Sequence, residues 1–281
     1  AAAPAGALGG SGAAGAPGLG DVRVYSTSFG ETVKSNAFTY SREMQTHYVA
    51  QAGQAPASPY TNWITAASNI QDAIDVSWNG DMVIVSNGVY ETGGVAGYPT
   101  ASVTLTNRVA IYKPIIVQSI NGPGVTTIKG VSPFGNGAAR CVYMTNGSSL
   151  IGFTLTNGAT SYGGSSGGGV WCQSTNVTVS NCVISGNTAK FGSGGAYKGT
   201  FYSCKIYGNS TESDGGGVYQ GSLYDCEIYA NSAGSDGGGT YQSLLSHCEV
   251  YGNTAHYEGG KEKKSRPKNG RLLAAFVRSA I

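Results

Sequence analysis

CVISGNTA (182–189), CKIYGNST (204–211), CEIYANSA (226–233) and CEVYGNTA (248–255) are one phrase written four times at a 22-residue interval. Cys182, Cys204, Cys226 and Cys248 open it, and Ile184, Ile206, Ile228 and Val250 follow two residues later. Asn187, Asn209, Asn231 and Asn253 keep the same beat. Between the phrases a glycine pair and a tyrosine recur as GGAY (194–197), GGVY (216–219) and GGTY (238–241), trailed by Phe201, Leu223 and Leu245. A fixed period of this length marks a solenoid, in which a unit too small to bury its own apolar face stacks on the next.

Helical repeats need about 33 residues or more, and leucine-rich repeats need a leucine-and-asparagine consensus. These units are instead rich in Gly, Ser, Thr, Val and Tyr. Cys-x-Ile is the period-2 alternation of a strand with one buried face, and the Gly-Asn and Gly-Gly pairs are turn chemistry. Each unit therefore has room for about three short strands and three turns.

With these residues in view, the chain resembles the right-handed parallel β-helix proteins. Its units are similar to the repeats of polymorphic outer-membrane proteins and other secreted bacterial β-helices, which carry a GG-A/V-I/Y element and a C/F-x-x-x-G-N-S/T element. The resemblance is specific over residues 141–260 and weaker over 46–140. It implies an all-β, right-handed parallel β-helix solenoid and an extracellular address, and it says far less about activity.

Composition agrees with this class. With 45 glycines, 18 tyrosines and only 11% charged residues, the chain suits a turn-dense solenoid rather than a helical or disordered one. At about 4.8 Å per stacked strand, residues 46–260 would make roughly nine coils in a rod about 40 Å long. The formal charge of +2 hides an uneven distribution, since residues 1–260 carry 10 Lys and Arg against 14 Asp and Glu. That is no nucleic-acid footprint, and no apolar run is long enough to span a membrane. The 22-residue ladder places four of the six cysteines above one another on an inward face, so they read as reduced, buried filler. A bridge such as Cys172 to Cys182 stays open.

Three regions follow. Residues 1–45 are an Ala/Gly/Pro leader and a polar stretch with scattered valines and tyrosines, 46–260 are the β-helix, and 261–281 are a basic tail. The tail fits no coil and reads as a truncated or read-through end, with a basic amphipathic cap as the alternative. Early in the helix, Ser68 followed by Gln71 is a capping-box signature, and Ile70, Ala73 and Ile74 share one helical face. A short helix stopping near Asn79-Gly80 would cap the first coil, where strand edges are open. The stretch GDMVIVSNGVYETGG (80–94) resembles the opening signature shared by pectate-lyase-like and alginate-lyase-like β-helix enzymes, and carries no catalytic residue. Phe153 and Leu155 read as counterparts of Cys182 and Ile184. Segments 93–100, 131–138 and 158–169 read as loops, and by analogy with β-helix grooves Arg108, Lys113, Lys129 and Arg140 are the basic residues nearest a groove.

The period stacks functional groups in columns about 4.8 Å apart. Tyr207, Tyr229 and Tyr251 form one outward column, flanked by Lys205, Glu227 and Glu249, and these six are the candidate ligand-binding residues. The spacing nearly matches the rise of a sugar in an extended glycan, while ring packing along the sheet is the competing structural reading. Asp214, Asp236 and Glu258 form an acidic column in the turn before the glycine pair, a candidate Ca2+ site because stacked carboxylates repel and calcium takes carboxylate and carbonyl oxygens. Ser203, Asp225 and His247 have the composition of a catalytic triad but the wrong order, since His must lie between Ser and Asp. Glu227 over Glu249 matches a retaining-glycosidase separation only because any β-helix stacks at that distance. His47, His247 and His256 share no metal spacing. The reading is a secreted or surface-displayed, adhesin-like protein that binds a polysaccharide or a cell surface. A polysaccharide lyase or glycoside hydrolase is the alternative, and a structural spacer the third.

Overall fold

Alternation with period 2 is what builds each coil. In the computed structural model, which describes residues 18–26, 30–40, 42–100, 105–133, 135–161, 166–256 and 275–280, the buried Ile of each phrase is flanked by outward-facing neighbours. The chain divides into two units, Ala1–Met44 and Gln45–Ile281. In the first, Gly18–Ser26 pairs antiparallel with Gly30–Tyr40, with a register shift between Gly20 and Val22. The second is the parallel solenoid.

A regular coil holds four short strands rather than three: Ala196–Tyr197, Thr200–Tyr202, Lys205–Tyr207 and Ser210–Thr211 make up one. The fourth arises from the asparagine turn, where two residues after each Asn pair with the next coil, as Ser210 with Ser232 and Thr211 with Ala233. Each strand stacks on its counterpart 22 residues away and so belongs to one of four columns, called here the first to fourth sheets. Among the described residues seven strands, from Gly88–Tyr90 to Glu249–Tyr251, form the third sheet, and four form the fourth. Strand Thr240–Ser246 runs through the corner between the first and second sheets and joins them into one network, to which Ala275–Ala280 adds antiparallel.

The core is a set of inward ladders. Along the third sheet Tyr90, Ile128, Leu155, Ile184, Ile206 and Ile228 are buried in register, each contributing about 1.5–3 kcal/mol of burial. Leu155 does pair with Ile184, and the amide of Phe153 donates to Cys182 Sγ at 3.4 Å. All six cysteines are free thiols and buried, so no Cys172–Cys182 bridge exists. The thiols of Cys182, Cys204, Cys226 and Cys248 donate back to the carbonyls of Ser180, Tyr202, Tyr224 and Ser246 at 3.3–3.4 Å. Burial pushes the Cys182 thiol up to about 11; its hydrogen bond with Cys204 is the first cause that lifts Cys226 to about 12.

The asparagines form a second ladder, fully internal. Asn209 Nδ2 donates to Ile184 O at 2.9 Å and to Asn231 Oδ1 at 2.9 Å, while its own Oδ1 accepts from Asn187 N at 3.1 Å and Asn187 Nδ2 at 2.9 Å. The pattern repeats through Asn253, so each turn's buried backbone groups are satisfied by one side chain. The glycine pair answers to this ladder. A Cβ on Gly217 would lie 3.0 Å from Asn231 Nδ2, with the Gly239 carbonyl closer still.

The first coil is capped by a helix, Ile70–Val76, whose buried residues are Ile70, Ala73 and Ile74. Its N-cap is Asn69 rather than Ser68: Asn69 Oδ1 accepts from Asp72 N at 2.9 Å, the shorter route to an orphan helix amide. Gln71 is thereby released for another task. Its Oε1 accepts from Ala110 N at 2.9 Å and its Nε2 donates to Ala110 O at 3.3 Å. One amide thus mimics a neighbouring strand at the outer edge of Thr106–Ile111, the edge strand of the first sheet.

Candidate functional site

The expected outward column exists in register. Lys205 pairs with Glu227 and Glu227 with Glu249, while Tyr207, Tyr229 and Tyr251 follow one another. Lys205 Nζ lies 3.1 Å from Glu227 Oε1, and that hydrogen bond holds the exposed ammonium above its usual range. Ring centroids are 4.9 Å apart between Tyr207 and Tyr229 and 5.0 Å between Tyr229 and Tyr251, with interplanar angles of 8° and 2°. Rings this parallel turn their faces to each other and present edges and hydroxyls outward.

The acidic column is brought together in part. Asp236 N donates to Asp214 Oδ1 at 3.1 Å, while Asp236 Oδ1 is buried without a hydrogen-bond partner. Glu258 lies outside the described residues. Among the described residues no group of three or more His, Cys, Asp and Glu side chains is placed to hold a metal ion.

A longer column was not singled out by sequence reasoning. On the outer face of the first sheet, Tyr112, Tyr98, Tyr143, Trp171, Tyr197, Tyr219 and Tyr241 follow one another at centroid distances of 4.9–5.8 Å. Its rings are tilted by 14° to 38°. Tyr98 reaches into the row from the 93–100 loop, between Tyr112 and Tyr143. Polar groups flank the row. Lys198 Nζ stands 5.0 Å from the Tyr197 centroid, and Gln220 Nε2 donates to Gln242 Oε1 at 2.9 Å. Near the other end Tyr112 donates to Asp75 Oδ1 at 3.0 Å; burial, then that bond and its charge, push the phenol up to about 12. Burial raises Tyr219 as well, with the Asp214 carboxylate as the next cause.

Lys198, Gln220 and Gln242 have φ of 56°, 57° and 49°. This left-handed conformation favours Gly or Asn, yet three coils in succession keep a long polar side chain there, beside the aromatic row. The sequence signal was the tyrosine of GGAY, GGVY and GGTY. The rest of the row lies in coils of irregular length, where no period connects Tyr143 to Trp171.

Other candidates resolve as structure. Ser203, Asp225 and His247 occupy an exposed left-handed corner, with φ of 52°, 55° and 55°, and Asn181 holds the same place one coil earlier at 49°. Arg140, expected near a groove, is fully buried and donates to Gly167 O, Asn107 Oδ1 and Ser166 O at 2.7–2.8 Å. It ties the first sheet to the 158–169 loop, because a buried guanidinium needs acceptors on every side. Lys113 Nζ donates to Ile74 O, Asp75 O and Ser77 O at 2.7–3.0 Å and so caps the helix C-terminus. His47 is buried between Pro59 O at 2.6 Å and Asp81 Oδ2 at 3.0 Å.

Among the described residues no helix is long and apolar enough to cross a membrane. No curated protein and no solved structure matches the chain. The family described as right handed beta helix region matches residues 115–266, more than half of the chain, and the chain belongs to that family.

Proposed function

We propose that this chain is a secreted or cell-surface binding protein that holds an extended polysaccharide along the helix axis, on the aromatic row of the first sheet. The observation that carries the reading is the row from Tyr112 to Tyr241, with its polar flanks. The rings are tilted by up to 38° and spaced by up to 5.8 Å, all but the buried Tyr143 are partly exposed, and a sugar can lie along the row. Asp214 on one side and Lys198, Gln220 and Gln242 on the other then bond hydroxyls. The column of Tyr207, Tyr229 and Tyr251 with Lys205, Glu227 and Glu249 is the second candidate surface. Its nearly parallel rings offer hydroxyls more readily than faces. Calcium bridging Asp214 and Asp236 belongs to the same proposal.

Retention on immobilised neutral and acidic polysaccharides tests it. Trp171→Ala should lose at least about tenfold in affinity, the scale of one or more good aromatic contacts, with the circular dichroism spectrum unchanged. Tyr229→Ala should keep its affinity and lose about 1–3 kcal/mol of stability, the worth of two ring contacts. The opposite pattern moves the binding face to the third sheet, and retention of neither variant nor wild type on any glycan removes the reading. Asp214 beside Tyr219 favours one further reading, a polysaccharide-active enzyme, and release of new reducing ends or unsaturated products would establish it.

A further inference from the structure

Next to the capping helix lies a cavity of about 200 Å3, walled by Ser68, Asp72, Tyr90, Thr92 and Arg108. Arg108 is 8% exposed. Its Nε donates to Lys129 O at 2.9 Å and its Nη1 to Gly93 O, while Nη2 makes no hydrogen bond among the described residues. A guanidinium carries five N–H donors and no acceptor, and because Nη2 is not among the buried side-chain atoms left without a partner, its donors are open to a ligand.

Two acids lie nearby, and of these only Glu91 has a cationic partner among the described residues. Asp72 Oδ2 accepts from Asn69 Nδ2 at 2.7 Å, and Glu91 is paired with Lys129 Nζ at 2.7 Å. Tyr90 hydrogen-bonds back to Ser86 O at 3.1 Å. The exposed Ser68 and Thr92 side chains line the rim of the same cavity, and their hydroxyls make no hydrogen bond among the described residues. Burial lowers the Arg108 pKa first of all, and the charge of Glu91 is a smaller opposing cause.

We propose that this cavity binds a small oxyanion, with the free Nη2 donors of Arg108 and the hydroxyls of Ser68 and Thr92 as its ligands. Guanidinium–oxyanion hydrogen bonds are charge-assisted and geometrically matched, whether the oxyanion is a tetrahedral phosphate or sulfate or a planar carboxylate. The volume accommodates a group of a few heavy atoms. The site stands on Arg108 and not on the aromatic row, so it holds or fails independently of the polysaccharide reading.

Titration calorimetry of the full chain with phosphate, sulfate and acetate, at ionic strength held constant with sodium chloride, tests the proposal. Saturable one-site binding of at least one anion is expected, and the rank of phosphate and sulfate against acetate reports whether a tetrahedral or planar group fits. Arg108→Lys keeps the charge but loses the fork, and should weaken binding at least about tenfold. Heats of dilution alone for all three anions, or wild-type affinity in Arg108→Lys, overturn it. Should Arg108→Lys fail to fold, the Ser68→Ala, Thr92→Val double variant decides: a several-fold loss with an unchanged spectrum supports the site, and wild-type affinity removes it.

Discussion

Single residues in this chain act by being repeated at one height after another. Asn209 closes a turn by bonding four buried groups through its side chain, and replacing it with Leu leaves Ile184 O without that donor and Asn187 N and Nδ2 without that acceptor, while Asn231 Oδ1 keeps the backbone amide of residue 209. Each orphaned group costs about 1–3 kcal/mol, so Asn209→Leu should lose about 3–5 kcal/mol in urea unfolding. A loss under about 1 kcal/mol would mean that the ladder is decoration. The thiols make a second prediction. Cys141 and Cys226 are raised to about 12 and Cys182 to about 11 in the fold, against 9.0 ordinarily. The folded state therefore holds protons that the unfolded chain releases first. Stability from these groups is fully present below about pH 9 and is lost as pH rises towards 11 to 12. The melting midpoint should fall across that window, and the four ladder cysteines should label slowly at pH 8 until the chain is denatured. A midpoint that rises between pH 9 and 11 would contradict the burial.

At the scale of elements, what was legible was what the period repeats. Cys and Ile facing inward, with Tyr, Lys and Glu outward, follow from parity alone, and the structure keeps that parity in every 22-residue coil. The fourth strand was not legible, because a two-residue strand after an asparagine turn has no alternation to show. The helix was legible from Ile70, Ala73 and Ile74, but its cap was not. Ser68 and Asn69 both carry capping oxygens; Asn69 takes the cap, and Gln71 bonds the edge strand at Ala110. Arg140 looked like a groove residue because sequence cannot tell a cation on a loop from one roofed by it. The acidic turns carry the element-scale prediction. Asp214 already accepts one backbone amide, and Asp236 keeps one oxygen without a partner, so bound calcium would stiffen two successive turns. A midpoint that drops by several degrees in EDTA and recovers with added Ca2+ supports that site, and an unchanged midpoint removes it.

For the β-helix unit as a whole, stacking at one strand spacing turns any outward residue of a coil into a line parallel to the axis. Tyr202 and Tyr224 stack as a pair on the second sheet, and the two longer aromatic lines differ. The third-sheet tyrosines lie within 8° of parallel, whereas the first-sheet row fans and is extended by Tyr98 from a loop and by Trp171 and Tyr143 from irregular coils. Sequence reasoning found the regular line and missed the longer one because periodicity sees only what recurs at a constant interval. We propose that this longer line is a linear binding track. Its most direct test is affinity against oligosaccharide length, measured by calorimetry with a graded series of a glycan that the chain retains. Affinity should climb with each added sugar and level off once the seven-ring row is filled, and Trp171→Ala should flatten that climb. A dimer that binds as tightly as a heptamer, with Trp171→Ala indifferent to length, would contradict the track.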